Sequence, residues 1–262
     1  MNSILLHEVK DKSEILTFNT PEKLNVLSEE MLKELSAALR QCATNQSTHV
    51  VILRSTGKAF CAGHDLKQMQ NERNAPDKGL KYFNKLFNQC SKVMMQIKNL
   101  PKPVVAEVQG VATAAGCQLV ATCDIAVASN IARFGVNGVN IGLFRSTPVV
   151  ALSRNIGRKK TFEMLVTGDF MTASEAKESG LINHVVSVEE LSAKTDELAS
   201  KISEKFKRVV KIGKKAFYEQ AEMKLENAYD YTAKIMAENM VLDETIEGIS
   251  AFIEKRDSKW TE

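Results

Sequence analysis

Apolar residues follow two patterns along this chain, short β-branched runs and longer stretches at helical spacing, and toward the C-terminus only the helical pattern continues. Ile4 to Val9 and Glu14 to Phe18 predict two strands around the polar turn Lys10-Asp-Lys-Ser13, a hairpin. After the loop Pro21 to Leu27, Ser28 offers an N-cap, with Glu29 and Glu30 in the first turn and Met31, Leu32, Leu35, Ala38 and Leu39 as an apolar stripe. His49 to Arg54, Val104 to Val108 and Ile125 to Ala128 read as further strands. The polar segment Asn71 to Lys78, carrying Pro76, reads as a mobile loop, and Leu80 to Ile97 as a long helix stopped by Pro101 and Pro103. Phe134 to Gly142 is a loop punctuated by Gly and Asn. From Pro148 the chain reads as almost wholly helical: Pro148 to Asn155, Arg158 to Val166, Ala173 to Ser179, then long helices between Val188 and Ile253.

Strand, turn and helix in alternation predict an α/β domain with largely parallel pairing. The pattern becomes all-helical between Asp196 and Val209 without a Gly/Ser-rich linker. This predicts an α/β core over 1–195 and a C-terminal helical region over 196–262, packed on its neighbours rather than free. No internal repeat is visible in the sequence.

Two small-residue turns interrupt this scheme. One lies in Lys58-Ala-Phe-Cys-Ala-Gly-His-Asp-Leu-Lys-Gln-Met69, entered from Val50-Val51-Ile52-Leu53. The other lies in Gln109-Gly-Val-Ala-Thr-Ala-Ala-Gly-Cys-Gln-Leu119, entered from Val104 to Val108. Each leads into helix-forming sequence. Ala and Gly let a ligand approach the main chain, and a helix N-terminus favours negative charge, so such turns can place backbone N–H groups side by side as an oxyanion hole. Neither turn forms G-x-G-x-x-G with an acidic residue at the expected distance, which disfavours dinucleotide binding.

Composition narrows the function classes. With 262 residues, 44% hydrophobic and 26% charged, the chain can bury a sizeable core. A formal charge of +3, evenly spread, argues against nucleic acid or a membrane surface as partner. Lys205-Phe-Lys-Arg208 and Lys211-Ile-Gly-Lys-Lys215 are broken by apolar residues at helical spacing and read as solvated helix faces. Cys42, Cys61, Cys90, Cys117 and Cys123 are scattered, without C-x-x-C pairs, so neither a disulfide framework nor a metal site is expected. No secretory or transit pattern opens the chain. A cytoplasmic, bacterial location is expected, or the mitochondrial matrix if a transit peptide precedes these residues.

Together the two Gly turns, Cys123-Asp124-Ile125-Ala126-Val127-Ala128, Thr167-Gly168-Asp169 followed by Ala173 to Leu181, and the terminal Glu247 to Arg256 resemble the enoyl-CoA hydratase/isomerase (crotonase) superfamily over nearly the whole chain. Gly63-His64-Asp65-Leu66, Ala115-Gly-Cys-Gln-Leu119 and Gly138-Val-Asn-Ile-Gly-Leu143 narrow the resemblance to one branch of it. The resemblance implies the crotonase fold, a ClpP-like spiral of ββα repeats with a C-terminal helical trimerisation region. It implies an acyl-CoA or enoyl-CoA substrate whose thioester oxygen is held by the backbone N–H groups of His64 and Ala115. No cofactor is implied beyond the coenzyme A of the substrate, and the assembly implied is a homotrimer or a dimer of trimers, with Tyr229, Tyr231, Met236, Met240 and Leu242 at the interface.

The departures from the family pattern matter most. Hydratases of the family carry two glutamates acting on one water, and those positions match Gln118 and Gly138. A glutamine can hold a water but cannot take its proton, and glycine contributes no side chain. Hydratase chemistry is therefore expected to be weak or altered; the alternatives are a non-catalytic acyl-CoA-binding or regulatory protein, or another thioester reaction such as isomerisation or hydrolysis. Glu163 is read as structural. The His64 imidazole could face the thioester region or the loop between the turns. Asp65 reads as a helix N-cap. Cys61 and Cys117 read as buried packing. Asn137, Asn140 and Arg145 suit an acyl pocket and loop capping equally well. For the CoA moiety the resemblance puts Lys23 near the nucleotide, the main chain at Ala62 against adenine, and Phe252 and Lys255 over the nucleotide of a neighbouring subunit.

Overall fold

A computed structural model of the chain describes Ser3–Lys259. The strands are β1 Leu5–Lys10, β2 Ser13–Phe18, β3 Val50–Ser55, β4 Ala59–Cys61, β5 Val104–Val108, β6 Val111–Thr113, β7 Ile125–Ser129, β8 Arg133–Gly135, β9 Phe170–Thr172 and β10 His184–Val186. The helices are α1 Glu29–Thr44, α2 Leu66–Glu72, α3 Leu80–Asn99, α4 Ala115–Thr122, α5 Ser146–Asn155, α6 Arg158–Thr167, α7 Ala173–Glu178, α8 Leu191–Ser203, α9 Lys207–Gln220, α10 Leu225–Met240 and α11 Asp243–Glu254. The hairpin, the helix capped by Ser28 and the long helix from Leu80 stand where the apolar pattern puts them, and the Ser28 hydroxyl accepts from the Met31 N–H at 3.1 Å.

Two sheets organise the first unit of the chain. The larger runs β1-β2-β3-β5-β7-β10, antiparallel only between β1 and β2; the smaller runs β4-β6-β8-β9, antiparallel only between β8 and β9. Chain order explains the arrangement. In three successive units, β3-β4-α2, β5-β6-α4 and β7-β8-α5, the first strand joins the larger sheet, the second joins the smaller sheet, and a helix follows. This is the spiral of ββα repeats, and the chain has the crotonase fold. The larger-sheet strands β2 and β5 are buried at every position, as expected for parallel strands covered on both faces. Leu16, Phe18, Leu53, Phe60 and Phe134 join one core cluster with the inner faces of α1 and α3.

The structure corrects the sequence reading in several places. The runs Val50–Leu53 and Val104–Val108 do not feed the Gly turns directly; β4 and β6 intervene, three residues each. Part of the expected loop 71–78 is the end of α2, capped by Asp65, whose carboxylate accepts from the Lys67 and Gln68 N–H groups. The loop expected over Phe134–Gly142 contains β8 and a 3-10 turn, Asn137–Ile141. The stretch read as almost wholly helical after Pro148 contains the short strands β9 and β10. Strands this short carry too few residues for an alternating pattern, and their partners supply the ladder.

The chain divides into two compact units between Ser200 and Lys201. In the second, α9, α10 and α11 bury few apolar residues, and Leu225, Tyr229, Met236, Val241, Phe252 and Ile253 are exposed. Among the described residues no helix is long and apolar enough to cross a membrane.

Far from either Gly turn in sequence, Glu14 sits buried in β2. Its carboxylate accepts from Thr48 at 2.6 Å and lies 2.7 Å from His7 Nε2 and 3.3 Å from the buried Lys102 ammonium. His7, Glu14 and Cys42 bring donor atoms within 4.8 Å of one another. With its oxygens already engaged, Glu14 is the centre of a charge-compensated network, the arrangement a buried carboxylate requires.

Candidate functional site

The two Gly turns are neighbours because β4 and β6 are adjacent and parallel, with Cys61 opposite Ala112. Parallel strands end on the same side, so Ala62-Gly63-His64 after β4 and Ala114-Ala115 after β6 meet at one edge. Strand β8 pairs parallel with β6 and ends at Gly135, bringing the Gly138 turn to that edge as a third member.

Contact at this edge is close enough to demand glycine. A Cβ on Gly63, whose φ is +90°, would stand 2.8 Å from the Ala114 Cβ and 3.3 Å from the Ala115 nitrogen. At Gly116, in the first turn of α4, it would stand 2.1 Å from the Cys61 carbonyl oxygen. Ala114 itself holds φ +54° and ψ −121°, a conformation that L residues avoid. Its N–H donates to the Gly135 carbonyl at 2.9 Å, tying the second turn to the third. Backbone strain of this kind persists only where its surroundings over-determine it. Among the described residues the N–H groups of His64 and Ala115 form no hydrogen bond. Unbonded main-chain donors in two neighbouring turns, one of them at the start of α4, can stabilise an oxygen that gains negative charge.

The flank formed by β4 carries Lys23. The Ala62 N–H donates to the Leu24 carbonyl and the Leu27 N–H to the Gly63 carbonyl, while the buried Asn25 amide donates to the carbonyls of Thr56 and Ala59. This loop clamps the first turn and leaves Lys23 exposed beside it. Phe252 and Lys255 belong to the second unit, where Phe252 is 85% exposed and Lys255 caps α11 with φ +54°.

His64 is buried, its ring 5.5 Å from that of Phe87. Nδ1 lies 3.1 Å from the Leu27 carbonyl oxygen, an acceptor, so Nδ1 carries the proton and Nε2 keeps the lone pair. Burial pushes the imidazole below its ordinary pKa, the Leu27 bond opposes this, and the positive charge of Arg145 lowers it further. The ring is therefore neutral near pH 7. Of the two orientations left open by the sequence, it packs against α3, and the Arg145 charge reaches it.

Gln118 lies one turn after Ala115 on α4, and Gly138 is the second residue of the 3-10 turn; both are buried. Among the described residues no carboxylate pairs with Arg145, the side chain that meets Gly138. A Cβ on Gly138 would fall 2.3 Å from Arg145 Nε, 2.6 Å from Arg145 Cγ and 2.4 Å from the Leu143 carbonyl oxygen, so the arginine lies over the glycine. Nothing in the sequence ranks Arg145 above Asn137 and Asn140, because a glycine does not announce which side chain will cover it. Asn137 Oδ1 accepts from the Thr113 hydroxyl at 3.0 Å, bridging the second and third turns. Asn140 packs over Gly168, a loop contact. Glu163 is exposed and pairs with Lys160 at 3.0 Å.

Cys61 and Cys117 are fully buried beside the turns, and burial pushes both thiols up to about 12. A thiolate is the nucleophile. Native protein treated with a thiol-reactive disulfide reagent at neutral pH is expected to show none of its five cysteines reacting rapidly, with all five titrating after unfolding. One fast stoichiometric thiol in the folded state would contradict this.

The comparisons with known proteins agree with this architecture. A family model described as enoyl-CoA hydratase/isomerase matches residues 12–262. The chain is 44% identical over 246 residues to mouse "Enoyl-CoA hydratase domain-containing protein 3, mitochondrial", covering 94% of this chain and 80% of that protein. A crystal structure of enoyl-CoA hydratase from Mycobacterium smegmatis superposes with TM-score 0.95 at 49% identity, covering 99% of each chain. The crystal structure of human enoyl-CoA hydratase domain-containing protein 3 superposes with TM-score 0.93 at 43% identity, covering 98% of this chain and all of that one. That is the branch to which Gly63-His64-Asp65-Leu66 and its companion motifs point. On the family match, the sequence relatives and the fold alike, this chain belongs to the enoyl-CoA hydratase/isomerase family.

Proposed function

We propose that the chain binds a CoA thioester with its carbonyl oxygen between the N–H groups of His64 and Ala115, polarises it toward an enolate-like state, and has weak or altered hydratase activity. The observation that carries this reading is the seating of Gly63 against Ala114 and Ala115, which brings two unbonded main-chain donors to one edge. Donors fixed in place before the reaction stabilise developing charge without reorganising, and losing one typically costs about 10²–10³-fold in rate. Lys23 would meet the nucleotide phosphates as a point charge, and the main chain at Ala62 the adenine. Phe252 and Lys255 would cover the nucleotide of a neighbouring subunit. The exposed apolar residues of α10 and α11 support a homotrimer or a dimer of trimers, since apolar surface of that extent favours a partner.

Gln118 and Gly138 are the specific features that favour a second reading, an acyl-CoA-binding protein without turnover. Two measurements test the proposal and separate these readings. The carbonyl stretch of bound butyryl-CoA is expected to move to lower frequency in infrared difference spectra; an unshifted band would remove the polarisation claim. A panel of CoA thioesters followed by mass spectrometry then reports hydration, isomerisation and hydrolysis together. Product from any member supports an enzyme, and a shifted band with no product anywhere supports the binding protein.

A further inference from the structure

The edge that carries the site has a direction. Strand β6 is central, β4 lies on one side with Lys23 and Ala62, and β8 lies on the other with Gly138 and Arg145. A thioester whose carbonyl sits between the β4 and β6 turns, with its nucleotide toward Lys23, sends its acyl chain toward β8. Strand spacing is about 4.8 Å, so the acyl end reaches the Gly138 turn within roughly 5–10 Å of the carbonyl.

The groups waiting there are polar and lack partners. Arg145 Nε is buried with no hydrogen-bond partner, and among the described residues no carboxylate pairs with this guanidinium. His64 and Gln118 are each 5% exposed, and His64 Nε2 and Gln118 Oε1 are likewise buried without partners. Arg145 stands at the N-cap position of α5, which packs against α4, the helix of Gln118, and its positive charge is one of the causes, after burial, that lower the His64 pKa. Buried polar groups without partners are costly unless a ligand satisfies them. A guanidinium with no internal anion calls for an external one, and its planar fork matches a carboxylate. Where the glutamates of a hydratase would place negative charge, this chain places positive charge.

We propose that Arg145, lying over Gly138, binds a carboxylate at the far end of the acyl group, so that the substrates are CoA thioesters of short dicarboxylic acids. This rests on the thioester reading above and names its substrate class. The specificity comes from the side that Gly138 leaves open, since any side chain there would displace the guanidinium.

The test is calorimetric titration of the full chain with three length-matched pairs: malonyl- and propionyl-CoA, succinyl- and butyryl-CoA, glutaryl- and valeryl-CoA. At least one carboxylated member is expected to bind ten-fold or more tightly than its neutral partner. In Arg145→Gln that ratio is expected to fall toward one, and Arg145→Lys to keep part of it, because a point charge remains without the fork. Equal affinities within all three pairs for the wild type would overturn the proposal while leaving thioester binding intact, and so would an undiminished ratio in Arg145→Gln. Failure of every thioester to bind would remove the parent reading and this one with it. The wild-type comparison decides the matter even if a variant does not fold.

Discussion

Crotonyl-CoA is expected to be hydrated about 10²–10⁴-fold more slowly by this protein than by a family member carrying both glutamates, since that is the usual contribution of general acid–base catalysis. Restoring the pair by substitution is expected to fail for a structural reason. Gln118→Glu changes one buried amide for a carboxyl of the same shape and should fold. Gly138→Glu cannot be accommodated in place, because its Cβ would stand 2.4 Å from a main-chain oxygen, that of Leu143, as well as 2.3 Å from Arg145 Nε. The Leu143 N–H donates back to the Gly138 carbonyl at 2.9 Å, so moving the Leu143 oxygen aside would strain or break the bond that closes this loop. Overpacking of this kind costs about 1–3 kcal/mol or more, and at about 2–4 °C per kcal/mol the melting temperature should fall measurably. Gln118→Glu/Gly138→Glu is therefore expected to be destabilised and to recover little hydration, whereas adding Arg145→Ala should relieve part of the clash. Crotonyl-CoA turnover by the wild type at the rate of a glutamate-bearing relative in the same assay would show that other groups move the proton. An unchanged melting temperature in Gly138→Glu would show that the loop opens freely.

The sequence made some levels of this structure readable and hid others, and the division has a physical cause. The buried parallel strands β3, β5 and β7 are rich in β-branched and other apolar residues, β2 carries Ile15, Leu16 and Phe18, and α1 and α3 carry regular stripes, so most of the larger sheet and its long helices are legible in the sequence. The smaller sheet is not. Strands β4, β6, β8 and β9 are three residues each, their pairing is long-range, and Ala59-Phe60-Cys61 has no period that could distinguish strand from loop. That same sheet is what aligns the turns, so the motifs could be seen while the reason for their proximity could not. The residues of the turns were legible because glycine and alanine are demanded by close approach; Gly63 and Gly116 each face backbone across less than a side chain's width. Arg145 shows the opposite case. Its importance depends on Gly138, Leu143 and the end of β8 all arriving together, and no single residue type in the sequence encodes that meeting.

Gly63→Ala is expected to damage the site more than any change of a neighbouring side chain, because it acts on the spacing between the two donors. At φ +90° an L residue is strained whatever space surrounds it, at a cost of about 1–3 kcal/mol. The added methyl would also meet Ala114 Cβ at 2.8 Å and the Thr113 oxygen at 3.3 Å, and neither belongs to a flexible chain end that could swing aside. Ala114 is already held at φ +54° by its bond to Gly135, so the second turn has little freedom to retreat. The first turn must therefore move, carrying the His64 N–H away from that of Ala115. If those donors polarise the thioester, the infrared shift of bound butyryl-CoA should largely vanish, and any catalysed thioester reaction should slow by about 10²–10³-fold. Affinity for free CoA should fall less than this, since the loop carrying Lys23 is bonded to Ala62 and Gly63 of the moving turn but also to Thr56 and Ala59, which stay in place. Gly213→Ala supplies the contrast: it lies within α9 with nothing inside 4 Å of the added Cβ, so it should raise stability by about 0.5–1 kcal/mol and leave the band untouched. A Gly63→Ala protein that keeps the full carbonyl shift would sink the assignment of His64 and Ala115 as the donors, because the methyl cannot be housed with both N–H groups where they now stand.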